Sequence, residues 1–178
     1  RAALFFSVYI FLIWFYSHKL KKYPLTGLFS AACLAILPFF AVFVYYKNFS
    51  ELIFTHAAFL FFILLIRELI KDLERIKGDF IQNYQTIAVK YGEYFTKMLI
   101  SLLALLTLNP IYFLLKYPEI GGMKYFFYVS VVVLFIFVVA LWLSKSKRNY
   151  MLLHLILKLL IIMGVFSLAL IDYSVIAI

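Results

Sequence analysis

The sequence predicts an all-α protein, a polytopic transmembrane helix bundle with about six spans. Three observations predict it. Of the 178 residues, 67% are hydrophobic, the mean hydropathy is +1.05, and the apolar residues occur in blocks close to the roughly 20 residues that cross a bilayer as a helix. A soluble domain is only about half apolar. Because a chain of this size cannot hide the excess in a core, lipid must contact much of its surface.

Six apolar blocks are candidate spans, and together they make residues 1–178 a single transmembrane domain. Each block is expected to be helical because lipid offers no partner for unpaired backbone groups. The blocks also lack the alternating pattern of a barrel strand. In chain order, the predicted spans are residues 2–16, 25–46, 52–66, 94–115, 125–143 and 150–171.

The connections between spans alternate in charge. The loops after the first, third and fifth spans carry three, five and three Lys or Arg residues, whereas the other two loops carry one and two. The positive-inside rule therefore places the first set in the cytoplasm of a multi-pass protein of the inner (plasma) membrane. The net charge of +9 does not indicate nucleic-acid binding, because the basic residues lie at span ends, where they anchor helices to headgroups.

Two polar residues inside spans, His56 and Asn109, are expected to be satisfied by contacts within the helix bundle. His154 and Lys158 lie four residues apart in the last span. An intramembrane Lys is a functional candidate, but Lys158 is close enough to the predicted cytoplasmic end to extend towards the headgroups. Both interpretations of that pair remain open.

The stretch after the third span is the most informative part of the sequence. It contains five of the eight acidic residues, and its apolar residues recur at helical spacing, which predicts that the third helix continues past the membrane surface. On such a helix Glu68, Asp72 and Asp79 lie within about 40° of one another around the axis, with the lysines pointing elsewhere. Gly78 is a candidate end of this helix.

Carboxylates that converge without matching cations repel one another, and a hard divalent cation between them removes the repulsion. Mg²⁺ prefers one or two carboxylates together with phosphate oxygens and water, so this segment suits a metal-bridged diphosphate. The alternative is a solvated helix face on which Glu68 and Asp72 pair with Lys71 and Arg75.

The same segment resembles the second aspartate-rich motif of the UbiA-type intramembrane prenyltransferases. Residues 85–89 and 91–92 fit the tail that follows this motif, and residues 16–27 resemble the Tyr-Ser-x-x-Leu-Lys-Arg-x-Pro-Leu connection after the family's fourth helix. The order, spacing and predicted side of the membrane agree. The motif residues that carry the resemblance are Arg67, Glu68, Ile70, Lys71, Asp72, Glu74, Gly78 and Asp79.

The resemblance implies a helix bundle that transfers a polyprenyl group from its diphosphate to a hydrophobic acceptor. The partners implied are polyprenyl diphosphate, the acceptor and membrane lipid, and the cofactor is Mg²⁺. Aromatic rings near the site would steady the allylic cation. By the matched positions, the catalytic and metal-binding residues would be Asp72 and Asp79, with Glu68 as a further metal ligand or as a residue that orients Arg67 or Lys71. The implied substrate-binding residues are Tyr16, Ser17, Lys22, Lys71 and Arg75, whereas Gln85 and Thr86 are expected to shape the loop.

Two departures from the family pattern qualify this expectation. Arg75 stands where the family usually has a third aspartate, so either Glu74 or Asp79 suffices for the metal, or Arg75 contacts the diphosphate, or the site is weakened. The family's first motif, Asn-Asp-x-x-Asp, does not occur in these residues. We therefore expect that the chain is the last two-thirds of such an enzyme, with helices four to nine of nine, and that this part alone is inactive.

Two other functions remain open from the sequence. A transporter or channel would also have broken helices and intramembrane charge, although here the charges cluster at one face. A non-catalytic homologue would have lost metal binding at Arg75. The acceptor is not specified either: a glycerol-phosphate backbone and a quinone or aromatic acid are both compatible with the motif.

Overall fold

The computed structural model describes residues 2–46, 50–167 and 170, and within these ranges the chain forms helices and no strand. The prediction of an all-α bundle is confirmed. Two short 3-10 helices, Leu20–Lys22 and Pro118–Met123, separate some of the longer helices. The α-helices are α1 (Ala2–His18), α2 (Pro24–Tyr46), α3 (Glu51–Ile81), α4 (Ile87–Leu114), α5 (Lys124–Leu143) and α6 (Lys147–Ser167).

All six helices are long and apolar enough to cross a membrane. Their outer faces carry large apolar side chains that a soluble protein would bury, such as Phe135, which is 72% exposed, and Leu143, which is 75% exposed. Such side chains are stable on a surface only where lipid covers them. The chain is therefore a multi-pass membrane protein.

Helix α3 is the centre of the bundle and packs against α2, α4 and α6. Its 31 residues span about 46 Å, against about 30 Å for the hydrocarbon core of a bilayer. The third helix extends 15 residues past the predicted span end at residue 66, so its predicted continuation as a helix is confirmed. Gly78 does not end the helix, because α3 runs to Ile81 and the N–H of Gln82 still donates to the Gly78 carbonyl.

The continuation of α3 is held in place by one apolar face. Leu69, Ile70 and Leu73 are fully or almost fully buried and belong to a cluster that includes Ile87 of α4 and Leu153 of α6. These residues lie about 60–200° around the axis from the predicted acidic face, by the helical repeat. Packing of the apolar face therefore decides which way the acidic face points.

Helix α4 begins at Ile87, earlier than the predicted start of the fourth span at Tyr94. Thr86 is its N-cap, and the Thr86 hydroxyl accepts a hydrogen bond from the Val89 N–H at 3.4 Å. Gly92 interrupts the helix with φ +82°, a backbone conformation that costs little only for glycine. The early turns thus form a separate segment ahead of the membrane-spanning part.

The connection between α4 and α5 contains the 3-10 helix Pro118–Met123, which is broken at Gly121, where the backbone is non-helical with φ +52°. The start of the last helix differs from the sequence-based expectation. Helix α6 starts at Lys147 rather than at residue 150. Residues 168, 169 and 171 of the predicted sixth span lie outside the described part of the chain.

A buried polar cluster joins α4 to the connection between α5 and α6. The Lys97 ammonium lies 2.8 Å from a Glu93 carboxylate oxygen and donates to the Ser144 carbonyl at 2.6 Å. The Tyr150 hydroxyl donates to Glu93 at 2.6 Å and is 3.1 Å from the Ser144 carbonyl. A buried charge is stable when it is paired and hydrogen-bonded, so this cluster fixes the ends of three helices against one another.

A close backbone contact joins α2 to the segment that precedes it. A Cβ built on Gly27 would lie 3.2 Å from the Leu20 carbonyl oxygen and 3.3 Å from that of Lys21. Any other residue would push the 3-10 helix Leu20–Lys22 away from α2. At Gly78, in contrast, a Cβ would meet no other part of the described chain within 4 Å, apart from its neighbours and the adjacent backbone of α3.

Gly27→Ala is therefore expected to destabilise the protein by about 1–3 kcal/mol, because the added methyl group meets backbone atoms that cannot move freely. Gly78→Ala is the matched control, and it should raise stability by about 0.5–1 kcal/mol through helix propensity. Thermal unfolding in one detergent compares the two variants with the parent. An equal effect of both substitutions would contradict the close contact at Gly27.

Candidate active site

One end of the bundle contains a pocket of about 450 Å³ at the junction of α1, α2 and α3. We call it the acidic pocket. Its walls come from the end of α1, the 3-10 helix Leu20–Lys22, the first turns of α2, the late part of α3 and the cap of α4. The lining residues are Tyr16, Lys21, Tyr23, Pro24, Gly27, Leu28, Ala31, Glu68, Lys71, Asp72, Arg75, Asp79 and Thr86.

The three carboxylates that the helical spacing places on one face all line this pocket. Asp79 is only 8% exposed, and Asp72 is partly buried one turn beyond Glu68. The exposed fraction of Asp79 is low for a residue near a helix end. The acidic face of α3 is therefore turned into the protein rather than into bulk water.

Glu68 differs from the two aspartates in having its own cations. One of its oxygens lies 3.1 Å from the Arg67 guanidinium and the other lies 2.8 Å from the Lys71 ammonium. The expectation that the lysines point away from the acidic face is wrong for Lys71, because its long side chain reaches back to Glu68 from 60° around the helix. The structure thus gives Glu68 the orienting contacts that the sequence offered as an alternative to metal binding.

Asp72 and Asp79 have no such partner. Within the described residues, no Lys, Arg or His nitrogen lies within 4.0 Å of either carboxylate in an ion pair. Three cationic side chains, Lys21, Lys71 and Arg75, nevertheless line the same pocket. The pocket therefore combines two unpaired carboxylates with nearby positive groups that do not neutralise them by contact.

Of the five residues predicted to bind substrate, Tyr16, Lys71 and Arg75 line the acidic pocket, and Ser17 and Lys22 do not. Both of the latter are exposed. Ser17 follows Tyr16 in α1 and so points about 100° away from it. Lys22 follows Lys21 in a 3-10 helix, where successive side chains diverge by about 120°.

Arg75 and Glu74 point in different directions on α3. Arg75 lines the acidic pocket, whereas a Glu74 oxygen lies 3.4 Å from Nδ1 of His154 on α6. Glu74 therefore does not replace the aspartate that the family usually has at the position of Arg75. Arg75 lies on the wall of the pocket, as the alternative in which it contacts the diphosphate requires.

Sequence reasoning missed Lys21, Tyr23 and the small residues of the α2 wall. Lys21 lies in a run of basic residues, and nothing in that run distinguishes it from its neighbours before the 3-10 geometry is known. The loop residues fit their expected role: Thr86 caps α4, and the Gln85 N–H donates to the Lys22 carbonyl at 3.1 Å. That bond ties the segment after α3 to the segment after α1.

This arrangement suits a doubly charged cation held together with an anion. No group of three or more His, Cys, Asp or Glu side chains in the described residues is close enough to hold a metal alone. Mg²⁺ does not require such a group, since it commonly binds one or two carboxylates and completes its shell with phosphate oxygens and water. Lysine and arginine side chains around it would contact the same phosphate oxygens.

Comparison with known protein families gives one finding. The sequence model of the family described as "UbiA prenyltransferase family" matches residues 1–151, a range that contains the whole acidic pocket. Comparisons with curated proteins and with solved structures give no significant match.

Asp72→Asn is expected to stabilise the protein in a metal-chelating buffer by about 1 kcal/mol, since it removes a partly buried charge that lacks a contacting cation. For a chain of this size, such a stabilisation should raise the midpoint of thermal unfolding by about 2–4 °C. Glu68→Gln, on the same helix, should lower the midpoint because two ion pairs weaken. If Asp72→Asn lowered the midpoint as Glu68→Gln does, Asp72 would have a stabilising partner and our description of the pocket would be wrong.

Proposed function

The chain belongs to the UbiA prenyltransferase family, and we propose that it transfers a polyprenyl group from a polyprenyl diphosphate to a lipid-soluble acceptor in a magnesium-dependent reaction. The acidic pocket is the proposed diphosphate site. By the charge of its loops it would face the cytoplasm. Asp72 and Asp79 are the proposed magnesium ligands.

One observation carries the proposal: two carboxylates without cation partners face the same pocket as three cationic side chains. A solvated helix face, the alternative interpretation of this segment, would pair these charges with each other or expose them to water. Asp79 does neither, because it is buried and has no ion pair among the described residues. A bound magnesium–diphosphate complex supplies the cation that the aspartates lack and the anion that Lys21 and Arg75 lack.

The donor set of the pocket fits magnesium. Asp72 and Asp79 offer hard carboxylate oxygens, and no cysteine or histidine lines the pocket, so softer metals have no preferred ligand there. When bound, magnesium offsets the negative charge that develops on the diphosphate. Glu68 would act by holding Lys71 towards the pocket rather than as a ligand, since both of its oxygens already contact cations.

The remaining lining residues would bind and orient the prenyl diphosphate. Lys21, Lys71 and Arg75 would donate hydrogen bonds to its oxygens, and the rings of Tyr16 and Tyr23 also line the pocket. In the reaction the bond between C1 of the prenyl group and the diphosphate oxygen breaks, and the diphosphate leaves with the electron pair. The acceptor forms the new bond to C1 and releases a proton to water. Ring faces near C1 would stabilise its cationic character.

Asp72→Asn should lower Mg²⁺-dependent prenyl transfer at least about 100-fold, because a ligand to the diphosphate-binding metal is lost. The assay uses the full-length protein in membranes with labelled polyprenyl diphosphates and a panel of glycerol-phosphate, quinone and aromatic acceptors. Glu74→Gln, which alters a carboxylate two residues away that faces α6, should retain most of the activity.

Full turnover of the Asp72→Asn protein would refute the site. Failure of the parent protein to transfer a prenyl group to any acceptor in the panel would instead support a non-catalytic homologue.

Arg75→Asp should raise the KM for the prenyl diphosphate about tenfold or more, because a hydrogen-bonding cation becomes an anion facing the diphosphate. Lys77→Asp makes the equivalent charge change two residues away at an exposed position outside the pocket. It should change KM by less than about twofold at moderate salt, where distant surface charges are screened. Similar KM values for both variants would mean that Arg75 acts only through the net charge of the surface.

A further inference from the structure

A second cavity lies at the opposite end of the bundle and shares no lining residue with the acidic pocket. The space between its walls is about 580 Å³, part of which is open to the surroundings. We call it the distal cavity. Its lining residues are Phe39, His56, Phe59, Leu60, Ile63, Met123, Phe126, Leu160, Ile161, Gly164 and Val165. On α3, His56 lies 16 residues before Asp72, about 24 Å away along the helix axis.

His56 is the polar residue of this otherwise apolar wall. Its Nδ1 lies 3.0 Å from the Leu52 carbonyl oxygen. A carbonyl oxygen can only accept, so Nδ1 carries the proton of the neutral imidazole and Nε2 is left as an acceptor. The ring is also held in place by an edge contact with Phe127, at 5.6 Å between centroids. The expectation that helix contacts satisfy His56 is therefore met at Nδ1.

The other ring nitrogen is not satisfied in the same way. The Nε2 atom is buried and has no hydrogen-bond partner among the described residues. A buried acceptor without a donor is unfavourable. A water molecule is poorly suited to this position, because buried water normally makes about three hydrogen bonds and His56 has the only polar side chain among the described residues that line the cavity. An apolar molecule that carries one hydrogen-bond donor would fill the cavity with its apolar part and donate a hydrogen bond to Nε2.

The cavity is open towards lipid. Val165, one of its lining residues, is 62% exposed and lies on the membrane-spanning helix α6. Beside it, Gly164 allows the Phe126 ring to pack closely against α6, since a Cβ at that position would lie 3.1 Å from the ring. A ligand could therefore enter from the bilayer without passing through the acidic pocket.

We propose that the distal cavity binds a neutral lipid with a hydroxyl group, whose chain packs against the apolar wall and whose O–H donates to Nε2 of His56. This binding does not depend on the proposed prenyl transfer. It requires only the geometry of the cavity. An apolar chain without a donor would fill the same walls and leave Nε2 unpaired, so the hydroxyl group is what distinguishes the proposed ligand.

The test compares 1-dodecanol with its methyl ether, which has the same chain and an oxygen but no donor. Apparent affinities come from the ligand dependence of thermal unfolding of the purified full-length protein, corrected for the measured partition of each probe into the detergent. The parent protein should bind the alcohol about fivefold more tightly than the ether, the value of one hydrogen bond. His56→Leu should bind both probes equally.

Two variants show whether the preference arises in the distal cavity. His18→Leu removes an exposed histidine that makes the same kind of contact, with Nδ1 3.2 Å from the Trp14 carbonyl oxygen four residues earlier, and it should keep the fivefold preference. Gly164→Val should weaken binding of both probes, because the added side chain would press against the Phe126 ring, which also lines the cavity. Equal affinity of the parent protein for the alcohol and the ether would overturn the proposal, and this measurement needs no variant to fold. A preference for the alcohol that persists in His56→Leu would also overturn it.

Discussion

The central constraint in this molecule is that Asp72 and Asp79 are turned into the protein, and no cationic side chain of the described residues forms an ion pair with either of them. This orientation is imposed by the opposite side of α3, where Leu69, Ile70 and Leu73 are buried against neighbouring helices. Burial of that face stabilises this orientation by about 25 cal/mol for each Å² of apolar surface removed from water. The proposed metal and diphosphate site follows from this placement.

The walls of the acidic pocket depend on contacts that are individually modest. Gly27 allows the 3-10 helix to approach α2, and that helix directs Lys21 rather than Lys22 into the pocket. Thr86 caps α4 and also lines the pocket. A site that must hold charged groups at fixed distances requires such a rigid surrounding structure.

The sequence predicted the parts of this structure that depend on periodicity. Hydropathy identified six spans, and helical spacing placed Glu68, Asp72 and Asp79 on one face. It did not predict side-chain reach or tertiary partners. Lys71 extends back to Glu68, and Glu74 faces His154 of α6. The choice between neighbouring residues, such as Lys21 and Lys22, depended on a 3-10 turn that the charge pattern does not indicate.

Local backbone chemistry explains the boundaries that were misplaced. The fourth helix was expected at Tyr94 because the apolar block becomes continuous there, yet the Thr86 cap starts it at Ile87 and Gly92 interrupts it. Similarly, the unsatisfied Nε2 of His56 cannot be inferred from a lone histidine in an apolar block. The ring nitrogens of such a histidine normally find hydrogen-bond partners in neighbouring residues. Only the positions of the surrounding atoms show that Nε2 of His56 faces a cavity instead.

The most direct test of the central claim is whether Asp72 and Asp79 together hold a divalent cation with a diphosphate. Mn²⁺ is a suitable probe because it accepts the same oxygen ligands and has an electron paramagnetic resonance signal. With pyrophosphate present, the purified full-length protein should immobilise Mn²⁺, and the variant carrying both Asp72→Asn and Asp79→Asn should leave it free in solution. If the double variant bound Mn²⁺ and pyrophosphate as tightly as the parent protein, the two aspartates would not be the metal ligands and the proposed site would be wrong.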